Sequence, residues 1–163
     1  MQVDGWTLLF HECIVGQLSR LHSAALRAER QDPEGFESNA NVRLFHALSH
    51  LLLHVVPGDP SREEYRQGNT LGAAHRHWRR VKLGRRFRVF FRFDSRSRVI
   101  VYAWVNDEGT LRSSGSRSDP YSVFTKMLGQ GRPPTDWDAL VSASVTEWKG
   151  RHRVNDRPDL PLR

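Results

Sequence analysis

Residues 78–105, WRRVKLGRRFRVFFRFDSRSRVIVYAWV, leave few choices of fold. Read with a period of two, Val81 and Leu83 face one way and Arg80 and Lys82 the other. After Gly84, Phe87, Val89, Phe91 and Phe93 alternate with Arg88, Phe90 and Arg92. Successive side chains of a strand point to opposite sides, so this is the pattern of half-buried strands with one apolar and one cationic face. Residues 99–105 are apolar at every position, which predicts a strand covered on both faces. Residues 94–98, DSRSR, have turn composition, and the whole unit reads as an antiparallel meander. A sheet that turns arginine outward is suited to holding an anion.

The charge distribution sharpens that reading. Ten of the 25 Lys and Arg residues fall between His75 and Arg98 against one acid, Asp94, so this window carries more than the whole net charge of +7 and the remainder of the chain is slightly acidic. A local basic patch points to a polyanion such as nucleic acid rather than to general solubility. With 163 residues, 38% of them hydrophobic, and five tryptophans, the chain buries one good core. The expected organisation is a single domain over residues 1–150 and a flexible tail over 151–163, which has little apolar content. Residues 51–56, the longest apolar run, are interrupted by His54 and fall short of the roughly 20 needed to span a bilayer. The opening residues MQVDGW lack signal-peptide character, and the lone Cys13 fits a reducing compartment, so a cytoplasmic chain without membrane contact is expected.

Along the chain, residues 5–11 read as a first strand, and from Glu12 a helical stripe of Ile14, Leu18, Leu21 and Ala25 runs to about Arg30. Asp32-Pro33 is expected to cap a second helix reaching Val56, its buried stripe being Leu44, Leu48, Leu51 and Val55, widened by Phe45 and Leu52, with Leu53 on the polar side. Residues 61–77 form a Gly-containing loop beside the sheet. Asn106 begins a turn, Asp119-Pro120 starts a helix carrying Tyr121, Phe124 and Leu128, and a last helix follows Pro133-Pro134-Thr135 with Trp137, Leu140, Val141, Ser144 and Trp148 on one face.

The motif inventory excludes several chemistries. No P-loop, dinucleotide fingerprint, zinc ribbon or Gly-x-Ser-x-Gly occurs. His46, His50 and His54 recur at spacings of four, yet no Asp, Glu or Cys supports them, and they read as solvent-facing imidazoles rather than metal ligands. No cofactor is expected. What remains concentrated is arginine, lysine, aromatic rings and hydroxyls, a set that binds phosphate and stabilises added negative charge on it. By parity, Arg80 and Lys82 share a strand face, and Arg88 lies on the matching face of the next strand. Such a site suits RNA cleavage through the adjacent 2′-hydroxyl, or plain RNA binding.

The same residues resemble a known family. Trp78-Arg79-Arg80-Val81-Lys82-Leu83-Gly84, Phe87-Arg88-Val89-Phe90-Phe91-Arg92, Trp104-Val105-Asn106-Asp107-Glu108, Thr110-Leu111-Arg112, Asp119-Pro120-Tyr121-Ser122-Val123-Phe124 and Lys126-Met127-Leu128 are similar to the YhaV toxins of the RelE/ParE superfamily. Gly5-Trp6 and Pro133-Pro134-Thr135-Asp136-Trp137 extend the resemblance over about residues 5–140. The resemblance implies a RelE-like α/β (α+β) fold: an antiparallel twisted sheet with N-terminal helices on one face and C-terminal helices beyond. It implies a type II toxin that cleaves mRNA, often on the ribosome, without a metal. It also implies a cognate PrlF-type antitoxin with a swapped-hairpin DNA-binding domain, the two together binding operator DNA and repressing their own operon.

By motif position, Arg80, Lys82, Arg88 and Arg112 resemble the superfamily's active-site cations, and Tyr121 its C-terminal tyrosine. In that scheme Arg88 and Arg112 clamp the scissile phosphate, Arg80 stabilises the phosphorane, and Lys82 with Tyr121 handles protons or stacks a base. His75 and His77 are alternative acid or base candidates, because histidine titrates near neutrality. His75, Arg76, His77, Arg79, Arg92, Arg117 and Lys126 are expected RNA contacts. Two rival readings stay open: a basic module that grips RNA or the ribosome without cutting, and an interaction module whose arginines meet an acidic protein.

Overall fold

Strand β2 (Trp6–His11) lies inside the sheet because its side chains find cover on both sides, Leu8 and Phe10 on one face and Leu9 on the other. The computed structural model describes residues 1–106 and 119–146. Arg112, Arg117, Trp148 and the expected tail lie outside them. Three long strands follow late in the chain, β3 (Arg79–Leu83), β4 (Phe87–Asp94) and β5 (Val99–Val105). They form the expected antiparallel meander, with Lys82 directly opposite Arg88 and Arg80 opposite Phe90. β5 then pairs with β2 in parallel, from Thr7↔Val99 to Phe10↔Tyr102, so an otherwise antiparallel sheet has one parallel seam. Parallel neighbours need a long crossover, and everything between β2 and β5, helices and the first two meander strands alike, supplies it. Two short strands, β1 (Gln2–Val3) and β6 (Ser144–Val145), pair antiparallel with β2 and were not anticipated from sequence.

Helix α1 (Glu12–Gln31) leaves β2 directly. His11 is its N-cap, with Nδ1 accepting from the Cys13 N–H at 3.2 Å, and Ile14, Leu18 and Ala25 are buried as the stripe predicts. Gln17 reaches from α1 to the end of β5, where its amide donates to the Val105 carbonyl and accepts from the Val105 N–H at 3.2 Å.

The second helix departs from expectation at both ends. Asp32 does not open it. Asp32-Pro33-Glu34-Gly35 is instead a turn, Asp32 Oδ1 accepting from the Gly35 N–H at 3.0 Å, as Asp, Pro and Gly at the first, second and fourth positions favour. α2 (Ala40–His50) starts at Asn39, whose Oδ1 accepts from the N–H groups of Asn41 and Val42. Residues Leu51–Val55 then form a π turn. The wider turn shifts the phase of the helix, so Leu51, Leu52 and Leu53 are all buried, and Leu53 is 3% exposed rather than on the polar side. Val55, at the end of this turn, is in consequence only half-buried, and Leu44, before it, is half-buried as well. The Tyr102 hydroxyl donates to the Leu52 carbonyl at 2.6 Å and pins this turn to β5.

The far face of the sheet also differs from the open cationic surface expected. α3 (Pro120–Gly129), capped by Asp119 as predicted, and α4 (Trp137–Ser142) cover part of it. Phe124 stacks on Phe90 at 4.4 Å and meets Trp78 edge-on at 5.0 Å, closing a second core with Trp104, Leu128 and Leu140. Ala103 is the extra residue at an irregularity in the β4–β5 pairing, which lets Trp104 join Val101 and Ala103 on this face. The last helix stops at Ser142 rather than at Gly150. Ser142, Ser144, Val145 and Thr146 are weak helix formers, and Ser144 Oγ donates back to the Leu140 carbonyl as the chain turns into β6. Among the described residues no helix is long and apolar enough to cross a membrane.

Candidate active site

Strand parity brings Arg80, Lys82, Arg88 and Arg92 to the face that carries Phe90. There the four are treated differently by their surroundings. Arg80 is half-buried and held from two sides. Its Nη1 donates to the Tyr121 hydroxyl at 2.9 Å, and its Nη2 donates to the carbonyls of Glu64 and Arg66 at 3.2 and 3.3 Å. One guanidinium thus joins the sheet, the loop before it and α3. Tyr121 is fixed in turn by packing edge-on against Phe90 at 5.7 Å, at the start of the helix that Asp119 caps.

Lys82 is exposed and stands across from Arg88 on the neighbouring strand. Residues two apart on a strand are separated by roughly 6.6 Å. The backbone positions of Arg80, Lys82 and Arg88 therefore form a compact triangle, as parity predicts. The Arg88 guanidinium bends back to donate to the carbonyls of Phe87 and Arg85, at 2.9 and 3.2 Å, in the β3–β4 turn. Its backbone is clamped by Asn106, which is 2% exposed: Oδ1 accepts from the Arg88 N–H at 2.6 Å and Nδ2 donates to the Arg86 carbonyl at 2.8 Å. Read from sequence, Asn106 is a turn residue. The structure makes it the brace that sets Arg88 and its turn, and the only sequence signal is a polar residue directly after a fully apolar strand.

Arg92 takes another part. Its guanidinium lies over the rings of Trp78 at 5.8 Å and Trp137 at 5.3 Å and donates to the Thr135 carbonyl. Burial lowers its pKa from the usual arginine value, while Asp136 acts the other way. It ties the sheet to the segment before α4. Arg79 is on the opposite face, over Phe93 at 5.7 Å, with Nη1 donating to the Arg76 carbonyl. Neither is brought to the Arg80 cluster.

The loop of residues 61–77 is organised by Gln67, buried at 4% exposure. Its Nε2 donates to the His75 carbonyl at 2.8 Å, and its Oε1 accepts from Thr70 Oγ1 and the Leu71 N–H. Arg76 is engaged with Asn69 at 2.6 Å. The rings of His75 and His77 lie 6.3 Å apart just ahead of β3. The His77 pKa is pulled below the usual histidine value by desolvation beside Trp78 and by Arg92, His75 and Arg79. Lys126 is exposed in the last turn of α3. His50 and His54 are exposed with rings 5.4 Å apart, and among the described residues no group of three potential ligands could hold a metal ion.

Chemically, the cluster offers guanidinium and ammonium donors, a phenol and fixed carbonyls at one edge of a sheet, an arrangement for gripping phosphate. The family described as toxins with endonuclease activity, of toxin-antitoxin systems, matches this chain over residues 8–145. The "Ribonuclease toxin YhaV" of Escherichia coli K12 is 36% identical over 142 residues, covering 86% of this chain and 92% of its own. The "Toxin YhaV" proteins of Escherichia coli O6:H1 and O157:H7 are similar to the same degree and extent. No solved structure matches the chain.

Proposed function

This chain belongs to the YhaV family, toxins of toxin-antitoxin systems with endonuclease activity, and from that premise we propose that its substrate is RNA and its active site the Arg80 cluster. The observation that carries the proposal is Arg80 itself, held by Tyr121 and two carbonyls on the same sheet face as Lys82 and Arg88. In the proposed reaction the 2′-hydroxyl gives up its proton as its oxygen attacks the adjacent phosphorus. The bond to the 5′-oxygen breaks, and that oxygen takes a proton, leaving a 2′,3′-cyclic phosphate and a 5′-hydroxyl. The phosphorane formed on the way carries more negative charge than the ground state, and prearranged cations stabilise it most. Arg88 holds the scissile phosphate, together with Arg112; Arg80 meets the developing charge; Lys82 and Tyr121 serve the two proton transfers. The chain's own cations supply the charge stabilisation, so cleavage is expected to proceed in the presence of a chelator.

The target is mRNA, engaged in association with the ribosome, so that cutting arrests translation and growth in the cytoplasm. The partner is a PrlF-type antitoxin, and operator DNA is bound only by the complex of the two. Membership of a toxin-antitoxin family supports the antitoxin, and the basic window at residues 75–98 supports the nucleic acid.

Removing one transition-state donor costs about 3–4 kcal/mol of barrier. Arg88→Ala is therefore expected to stay folded and to lose two to three orders of magnitude in rate, roughly, on a defined RNA. Mapping of RNA ends after incubation with the purified protein tests the reading. Cyclic phosphate ends that vanish in Arg88→Ala support it, whereas salt-dependent binding with intact RNA would reduce the protein to a binding module.

A further inference from the structure

Beside the outer edge of β3 lies a pocket of about 300 Å³. Its apolar walls are Leu51, Val55 and Val81, its rim carries Arg62 and Glu64, and one side is made by Arg80 and Lys82. We infer that this pocket receives a nucleobase with an exocyclic amino group, next to the scissile phosphate, and so selects where RNA is cut. The inference rests on the proposal that Arg80 and its neighbours cleave RNA.

Three observations carry it. The volume is at the small end of ligand pockets, suited to one flat heterocycle rather than to a helix or a peptide segment. Apolar side chains on its walls cover the faces of such a ring, and Tyr65, 3% exposed and edge-on to Phe91 at 5.7 Å, gives the wall a rigid backing. The second is chemical. Glu64 brings a carboxylate, which only accepts hydrogen bonds, to the rim, and Arg62 Nη1 holds it at 3.3 Å through one oxygen. The other oxygen can take an amino hydrogen from guanine, adenine or cytosine. Uracil would set a carbonyl oxygen against it.

The third links pocket to chemistry. The Glu64 carbonyl accepts from Arg80 Nη2 at 3.2 Å, so the residue that reads the base is tied to the residue that meets the phosphate. A base in the pocket and a phosphate on Arg80 are thereby held at a fixed spacing, as neighbouring parts of one strand require.

The test uses the full-length protein and a single-stranded RNA of randomised sequence, with cleavage ends sequenced. The wild type is expected to deplete uracil by roughly tenfold at one fixed position beside the cut. Glu64→Gln, which places a donor on the rim, is expected to abolish that depletion. Val55→Trp, which fills the pocket, is expected to flatten preference at the same position, and Glu64→Gln covers the case in which the tryptophan disturbs folding. Cuts made by the wild type but distributed identically in Glu64→Gln would overturn the pocket while leaving cleavage at Arg80 intact. An altered affinity for a protein partner with an unchanged cut distribution would overturn it equally. Absence of any cleavage by the wild type would instead sink the RNA-cleavage proposal on which the pocket depends.

Discussion

Single residues at the ends of β2 and β5 do work that their type alone does not announce. His11 is 2% exposed, and its Nδ1 lone pair caps α1, so the ring must be neutral at that atom in the fold. Burial lowers its pKa below 6.5, Arg132 acts in the same sense, and Glu12 opposes them. The unfolded chain takes up the proton near pH 6.5, the fold only at lower pH, so this contribution is complete above that value and declines as pH falls through it. Denaturant midpoints measured from pH 8 down to 5 should fall on the acid side. His11→Asn, which keeps a capping acceptor, should flatten the decline; an unchanged slope would place the titration elsewhere, for example at His77, which is shifted in the same direction. At this scale the sequence was partly legible. Parity placed Arg80, Lys82 and Arg88 together, because a strand allows only two directions. It could not separate Arg92, on the same face, from them, since what distinguishes Arg92 is the arrival of Trp137 and Thr135 from 43 residues away in the case of Thr135.

An end signal did not by itself make an element readable, since Asp32-Pro33 carries the same pair as Asp119-Pro120 and closes a turn instead of opening a helix. Asp119-Pro120 names its own helix start through a side chain and a fixed φ, and α3 begins there. The π turn at Leu51–Val55 has no such signature, and a helix wheel at a constant angle per residue misplaces every side chain after it. The two phases make opposite forecasts for Leu53. On the polar side of a regular helix, Leu53→Ala would change little. Buried at 3% exposure, it should cost about 2–5 kcal/mol in chemical denaturation. A loss under about 0.5 kcal/mol, the range of ordinary surface substitutions, would restore the regular helix.

For the whole molecule, the sheet carries a core on each face, and the far one is short of area until α3 and α4 close over it. Arg92 is the bolt of that closure, stacked between Trp78 and Trp137. Arg92→Ala is expected to lower stability by about 2 kcal/mol, through lost cation–π contacts and a carbonyl left without its donor. The check compares unfolding with RNA affinity at fixed salt. Lost affinity with unchanged stability would return Arg92 to the phosphate-binding surface. Of this architecture the meander and the helical layer were legible. The covered far face was not, because Phe90 among arginines reads as one apolar residue on a charged strand until Phe124 is brought against it. Arg80 closes the arrangement with a debt. Three of its five N–H groups are already given to Tyr121, Glu64 and Arg66, and either bidentate edge of a guanidinium includes Nη2. A phosphate gripped through two nitrogens must therefore displace one of the two carbonyls, and the one that can leave with the Glu64–Arg80 link intact is that of Arg66. Substrate should thus loosen the chain at residue 66, quickening amide hydrogen exchange there while residues 62–64 and the rest of the fold become more protected, so that part of the cost of binding is recovered as local disorder.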